Sequence, residues 1–421
     1  MKILQVISTL APQYGGPSFA CPELSKELVT QGHQVSIYTT NVDGSGHLDV
    51  PVDRPVISDG VRIHYFQGRN LPGKFIVSSA LWRALRDTVA QFDIAHIWSV
   101  YGFSNTVAAY WCRKRAVPYL AFPHGSLDPF LRRQNRPRKW MYTKLFSERD
   151  YRKATGIMFT SVEELRLASD WSGLAAPSDP QAKAPEHIIA YTGIGSEWLQ
   201  EPDPDAGKRF REKHPELKNK RLIVYLGRIN FKKGLDILAR AFAKIARDRD
   251  DLHLVIAGPD SQGYELKVRE WLSQGGVLEK TTFTGILSGS DRFAVLQEAE
   301  VFALPSYTEN FGQAVFEAMA SSAPVVISDR VNVWPEVSKA DAGLIVPCDV
   351  DATANAIQTL LDDPARGQQM GANGRRWVTE NLSWSTVTRR IADAYAKLAR
   401  SDKPKQQTTG SDLVGTANSS R

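Results

Sequence analysis

Two carboxylates, Glu309 and Glu317, stand with seven residues between them in the stretch Val301-Phe-Ala-Leu-Pro-Ser306-Tyr-Thr-Glu309-Asn-Phe-Gly312-Gln-Ala-Val-Phe-Glu317. Paired acids either act together on a glycosidic bond or hold the hydroxyls of a sugar-like ligand. A second charged group lies upstream, in Gly227-Arg228-Ile-Asn-Phe-Lys232-Lys233-Gly234. Arginine grips two phosphate oxygens in a fork and lysine adds a compact positive charge, so Arg228 and Lys233 describe a polyanion site. This is not a Walker loop, which needs GxxxxGK[ST]. His124-Gly125 follows the apolar run Pro118-Tyr-Leu-Ala-Phe122, and the pair Gly15-Gly16 follows the apolar run that opens the chain. Such a pair lets backbone approach a ligand closely.

The same kind of element places each group. Apolar runs at 2–8, 34–39, 61–66, 93–98, 118–122, 157–160 and 188–191 read as strands, and so do 221–226, 253–257, 281–284, 301–306, 324–328 and 343–346. Helical segments at 17–31, 77–90, 103–115, 352–362 and 366–381 and from Ser161 and Leu235 alternate with them. Ser161-Val-Glu-Glu164 fits a capping box. This alternation implies an α/β fold of parallel sheets covered on both faces, with ligands outside the carboxyl ends of the strands. All four groups fall at such ends. Gly312 then opens a helix, where free backbone N–H groups favour an anion.

At 421 residues the chain exceeds one ordinary core. Glu201 to Gly207, rich in Pro and Asp, reads as a linker between a domain over 1–200 and another over 205–380. An amphipathic helix at 383–399 follows, then a polar, disordered tail from 401 to 421; residues 175–186 read as a loop insertion. A nicotinamide cofactor is excluded, because GxGxxG is missing and the second strand ends Thr39-Thr40-Asn41 where a ribose-binding acid belongs.

The formal net charge is +6, and most of the excess lies before residue 200, densest from Arg132 to Lys153. That segment reads as a solvated loop and helix face, or as a site for an anionic membrane surface or a lipid-phosphate acceptor. Nucleic acid is not expected, since no recognition motif accompanies the charge. Three scattered cysteines, Cys21, Cys112 and Cys348, make neither a disulfide framework nor a CxxC site and suit a reducing cytoplasm. The opening apolar run is too short for a signal peptide, and no apolar run is long enough to span a bilayer. The expected location is cytoplasmic, peripheral to the inner face of the plasma membrane.

With Gly227-Arg228…Lys233-Gly234 and Glu309-x7-Glu317 in hand, the chain resembles a retaining glycosyltransferase of GT-B family 4, the glycosyl transferases group 1, up to about residue 400. The resemblance implies two Rossmann-like domains facing across a cleft, the N-terminal one for the acceptor and the C-terminal one for a nucleotide-sugar donor, with the last helix crossing back. It implies that Gly15 and Gly16 lie against donor phosphates and acceptor, that His124 stands near the transferred sugar, and that Arg228 and Lys233, beside Gly227, bind the donor diphosphate. Glu309 would contact the sugar hydroxyls, with the amides of Asn310, Phe311 and Gly312 holding the sugar, and Glu317 would accept from the ribose. Such enzymes need no metal ion or other cofactor. The DxD patterns at 203–205 and 349–351 are read as chance. Tyr191-Thr192-Gly193 and Gln313 depart from the family's usual residues, which bears on sugar identity. Pro123-His-Gly-Ser-Leu-Asp-Pro129 and Asn332-Val-Trp-Pro-Glu336 are similar to members that build bacterial surface polysaccharides.

The expected activity is transfer of a hexose from a UDP- or GDP-sugar to a glycan or lipid-linked acceptor with retention, in exopolysaccharide, capsule or lipopolysaccharide assembly. No carboxylate nucleophile emerges, so the leaving phosphate is expected to assist acceptor deprotonation on the same face. Rival readings are a sugar-nucleotide epimerase or hydrolase on the same fold, a glycoside hydrolase using the two glutamates, and a non-catalytic sugar-binding protein. The hydrolase leaves the Arg228 and Lys233 loop without a purpose.

Overall fold

A computed structural model describes residues 1–71, 75–133, 136–174, 184–201, 203–260 and 262–401. The N-terminal sheet contains β1 (Lys2–Thr9), β2 (Gln34–Thr40), β3 (Val56–Ser58), β4 (Val61–Phe66), β5 (Ile94–Trp98), β6 (Tyr119–Phe122), β7 (Gly156–Phe159) and β8 (Glu186–Ile189). Their spatial order is β8-β7-β6-β5-β1-β2-β4-β3, all parallel except the edge strand β3, which runs antiparallel to β4. The C-terminal sheet contains β9 (Arg221–Leu226), β10 (Leu252–Ala257), β11 (Thr281–Gly285), β12 (Ala299–Leu304), β13 (Val325–Ser328) and β14 (Gly343–Val346), in the order β11-β10-β9-β12-β13-β14 and wholly parallel.

Both sheets are doubly wound. The strand order reverses between β1 and β5 in one and between β9 and β12 in the other, and such a reversal opens a crevice at the carboxyl ends. The apolar runs pack as expected for covered sheets. Leu222, Ile223, Val224, Tyr225 and Leu226 of β9 are all buried in the C-terminal core. In β1, Leu4 and Val6 face one apolar layer while Ile3 and Ile7 face the other.

That second layer includes Val387, Ile391, Tyr395 and Leu398 of the last helix, Trp384–Ser401, so the chain does cross back onto its N-terminal half. Burying each such aliphatic side chain stabilises the dock by roughly 1.5–3 kcal/mol. Gln5, polar within the apolar β1, is satisfied there. It donates to the Tyr395 hydroxyl (3.3 Å) and accepts from the Trp98 indole N–H (2.7 Å).

Several elements differ from the sequence reading. Residues 206–213 form a helix that begins inside the expected linker, because Ala206, Gly207 and Phe210 supply a buried face. The basic segment, read as loop and helix face, is helical at Pro129–Arg133, Arg136–Tyr142 and Glu148–Arg152. Short antiparallel pairs at Val42–Asp43 with Gly46–His47 and at Arg69–Leu71 with Phe75–Val77 escaped notice, being too short for a clear alternation. Ser161 caps its helix by accepting from the Glu164 N–H (3.0 Å), but the Glu164 carboxylate turns elsewhere, so the capping box is only half made. Residues 175–183 and 402–421, read as insertion and disordered tail, lie outside the described residues.

Candidate active site between the two sheets

The chain leaves β9 through Gly227, whose φ of 154° suits glycine, and the Arg228 carbonyl accepts from the Tyr225 hydroxyl (2.7 Å). Asn230 then caps the short turn Phe231–Lys233 by accepting from the Lys232 N–H (3.1 Å). At Gly234 (φ 67°) the backbone presses on the Pro305 carbonyl after β12, where any side chain would collide. The Tyr307 N–H donates to the Lys232 carbonyl (2.8 Å). These contacts lock together the loops on either side of the crevice.

Across that joint the Lys233 ammonium is ion-paired with the Glu309 carboxylate, both side chains about one-fifth exposed at 19% and 22%. Glu309 is held by its backbone as well. Its N–H donates to the Arg330 carbonyl (3.1 Å) and its carbonyl accepts from the Asn332 N–H (2.9 Å). The Arg228 side chain is exposed and has no ion-pair partner among the described residues. A lysine, a fixed carboxylate and a free arginine thus meet at the carboxyl ends of β9 and β12.

Glu317 behaves differently. It lies in the helix Gln313–Ala320, which starts after Gly312 in a left-handed conformation (φ 63°). Its side chain is buried and paired with Arg292, whose guanidinium also lies 5.5 Å from the Trp198 ring centre. Burial raises the Glu317 carboxyl above its ordinary range, and Arg292 opposes that rise. The two glutamates therefore hold different cations and do not form a facing acid pair.

On the opposite wall His124 follows β6 with a φ of 49°, strained for a residue with a side chain, and Gly125 follows at 78°. The turn is held by Glu164. One carboxylate oxygen accepts from the Gly125 N–H (2.5 Å), and the other accepts from both the N–H (2.6 Å) and the hydroxyl (2.7 Å) of Thr160. The His124 ring rests 4.7 Å from Phe122, centre to centre, and its Cε1 faces Gly16, where an added Cβ would sit 3.7 Å away. Its Nε2 is buried with no partner among the described residues, and burial lowers the imidazole to about 4. His124 is therefore neutral at pH 7, with an unspent polar atom.

Asn310, next to Glu309, crosses to this wall. Its amide donates to the Thr160 hydroxyl (3.2 Å), and its side chain fills the space that a Cβ on Gly125 would need. Thr308 also reaches the Asp128 carboxylate (3.4 Å). The structure thus brings His124, Gly16, Asn310, Glu309, Lys233 and Arg228 to one cleft and sets Glu317 behind Arg292. Phe311 is buried against Phe316 (4.9 Å), and Gly15 (φ 88°) begins the turn into the helix Gly16–Thr30.

Sequence reasoning missed Glu164 as the support of the His124 turn and Arg292 as the partner of Glu317. Glu164 carried a signal, the capping pattern, but pattern alone could not show that its carboxylate serves another loop. Arg292 carried none. The Asp-x-Asp pairs have structural tasks: Asp349 accepts from the Ala352 N–H (2.8 Å) and Asp203 from the Asp205 N–H (3.0 Å).

The family model of the glycosyl transferases group 1 matches residues 207–377, and that of glycosyltransferase family 4 matches residues 14–177. Among curated relatives, a glycogen synthase of Mycobacterium tuberculosis is 30% identical over 208 residues, 48% of this chain and 47% of that protein. A GDP-mannose-dependent alpha-(1-6)-phosphatidylinositol monomannoside mannosyltransferase of Mycolicibacterium smegmatis is 34% identical over 200 residues, 46% of this chain and 52% of that protein. The match spans about half the length of these relatives. The fold is similar to that of Anabaena HepE, solved in complex with UDP-glucose, at a TM-score of 0.71 and 18% identity, covering 94% of this chain and 100% of that one. Two doubly wound sheets, the cleft between their carboxyl ends and the two family models agree: the chain belongs to the group 1, family 4 glycosyltransferases of GT-B fold.

Proposed function

We propose that this protein transfers a hexose from a UDP- or GDP-sugar to a glycan or lipid-linked acceptor, with retention of configuration, in the assembly of a bacterial surface polysaccharide. The observation that carries this reading is the meeting of Lys233, Glu309 and Arg228, the last without an ion-pair partner among the described residues, at the switch point of the C-terminal sheet, opposite His124. Cleaving a sugar–phosphate bond leaves an oxocarbenium-like sugar and a diphosphate of growing negative charge. Arg228 and Lys233 stabilise that charge, and the amides at Asn310 to Gly312 and the carboxylate of Glu309 orient the sugar. Arg228 and Lys233 together supply the positive charge that other enzymes take from a metal ion, so we propose a metal-independent reaction. Neutral His124, with its free Nε2, faces the place of the sugar.

UDP and GDP both remain in the proposal, supported by the UDP-glucose complex of the Anabaena protein and the GDP-mannose dependence named for the mycobacterial relative. The separate pairing of Glu309 and Glu317 with Lys233 and Arg292 argues against a glycoside hydrolase, which needs two acids flanking one bond. Among the described residues no helix is long and apolar enough to cross a membrane. Membrane contact is proposed to be peripheral, through the basic segment, where Trp140 (64%), Met141 (53%) and Leu145 (59%) are exposed beside Lys144 and Arg149. Incubation with UDP- and GDP-sugars, with and without lipid-linked glycans, tests the activity. Nucleoside diphosphate release is expected from one donor class, and cleavage of unactivated glycans without it would overturn the proposal.

A further inference from the structure

Two half-buried lysines on opposite walls stand within electrostatic reach of each other. Lys139, in the helix Arg136–Tyr142, donates to the Leu131 carbonyl (2.6 Å) and lies 5.5 Å from the Tyr101 ring centre. Lys232 sits on the C-terminal wall, one residue before the Lys233 that Glu309 holds. The exposed rings of Phe130 and Phe231 approach across the cleft to 6.4 Å between centres, which brings the loops bearing the two lysines together. Neither lysine has an ion-pair partner among the described residues. Of the two carboxylates that face Lys232, Glu309 is paired with Lys233, and Asp128 accepts from the Phe130 N–H (2.7 Å) and contacts Thr308.

We infer that Lys139 and Lys232, flanked by Phe130 and Phe231, form a second anion subsite that takes a phosphate or diphosphate group of the acceptor. The inference rests on the glycosyltransferase reading, and it names the acceptor as phosphate-bearing. Like charges gathered in a partly dry place oppose one another, and a doubly charged phosphate would reverse that opposition. Burial, with Lys232 second, already holds the Lys139 ammonium below the usual lysine range; burial, with Arg228 second, does the same to Lys232. The subsite adjoins Arg228 and Lys233, which the proposed donor diphosphate would occupy. The paired aromatic rings suit the first isoprene units of a prenyl diphosphate, whereas a soluble sugar phosphate would need only the two cations.

The test is calorimetric titration of the full chain with inorganic pyrophosphate, first alone and then with UDP or GDP at saturation. The nucleotide-saturated protein is expected to bind one further pyrophosphate. Lys139→Gln and Lys232→Gln are each expected to weaken that binding about tenfold, and Lys139→Gln to leave the nucleotide Kd unchanged. Farnesyl diphosphate identifies the source: binding tighter than pyrophosphate, and lost in Phe130→Ala, marks a lipid acceptor, and equal binding marks a soluble phosphate; either supports the subsite. No pyrophosphate binding beside the nucleotide, or variants that bind it as tightly as the wild type, would overturn it. If neither UDP nor GDP binds, the donor reading fails by itself, and the titration of the free protein still reads the dependence on the two lysines.

Discussion

Lys233 and Glu309, 76 residues apart in the chain, are ion-paired across the reversal point of the C-terminal sheet, each at the end of a different strand. In this pair the cation proposed to hold phosphate and the acid proposed to hold sugar hydroxyls neutralise each other. The proposed donor would enter between them or share them. Removing the acid therefore frees the lysine without removing it. Glu309→Gln is expected to keep or tighten nucleoside diphosphate binding while lowering kcat about 10²-fold, the effect of losing one oriented polar contact at the reacting group. Calorimetry beside initial rates separates the two. Equal losses in both would assign Glu309 to phosphate binding instead.

Glu164 supports the His124 turn through Gly125 and the Asn310 contact through Thr160. Glu164→Gln replaces an acceptor pair with one acceptor and one donor, leaving at least one buried N–H unpaired. That costs about 1–3 kcal/mol of stability. Thermal unfolding should show this cost, and kcat should fall more than the donor KM changes, because the disturbed residues lie at the reacting end. An unchanged kcat would separate His124 from the chemistry.

Burial holds three imidazoles neutral, lowering His124 and His253 to about 4 and His96 to about 3. Above the ordinary value of 6.5 both folded and unfolded chains carry them neutral. Between 6.5 and about 4 the unfolded chain takes up protons that the fold refuses, so stability falls as pH falls, by about 1.4 kcal/mol per pH unit for each ring in that window. The raised Glu164 and Glu317 carboxyls work in the opposite sense, losing their contribution as pH rises through their folded values. Denaturant unfolding of His253→Gln from pH 7 to pH 4 should give a shallower acid limb than the wild type. The same slope in both would contradict the assignment.

Trp140, Met141 and Leu145 share an exposed face beside basic residues. Trp140→Ser should lower binding to vesicles of anionic phosphatidylglycerol several-fold, and binding to neutral phosphatidylcholine should be weak for both proteins. Sedimentation measures it, and unchanged partitioning would make the segment a solvated face.

The strand at 221–226, which leads to Arg228, was legible because a covered parallel strand writes itself as an unbroken apolar run, and strands away from the site, at 61–66 and 343–346, also lie at their expected positions. The last helix was legible from its periodicity, and Tyr395 and Leu398 show what it buries. What stayed hidden depends on partners far apart in sequence. Arg292 meets Glu317 from a helix with no motif, and the Glu164 carboxylate leaves its own cap for a loop 39 residues away. The glycine at 234 looked like a helix start, yet its necessity comes from the Pro305 carbonyl beyond it. A pattern reports a residue's own element, and these residues serve another.

The most direct test of the central claim is donor binding by Arg228→Ala and Lys233→Ala. Calorimetry with UDP and GDP, followed by steady-state transfer from the matching sugar nucleotide, should show folded proteins whose kcat/KM is reduced by about 2–4 kcal/mol of transition-state stabilisation for each variant. Near-normal kcat/KM in either would mean that the cation in question does not hold the donor diphosphate.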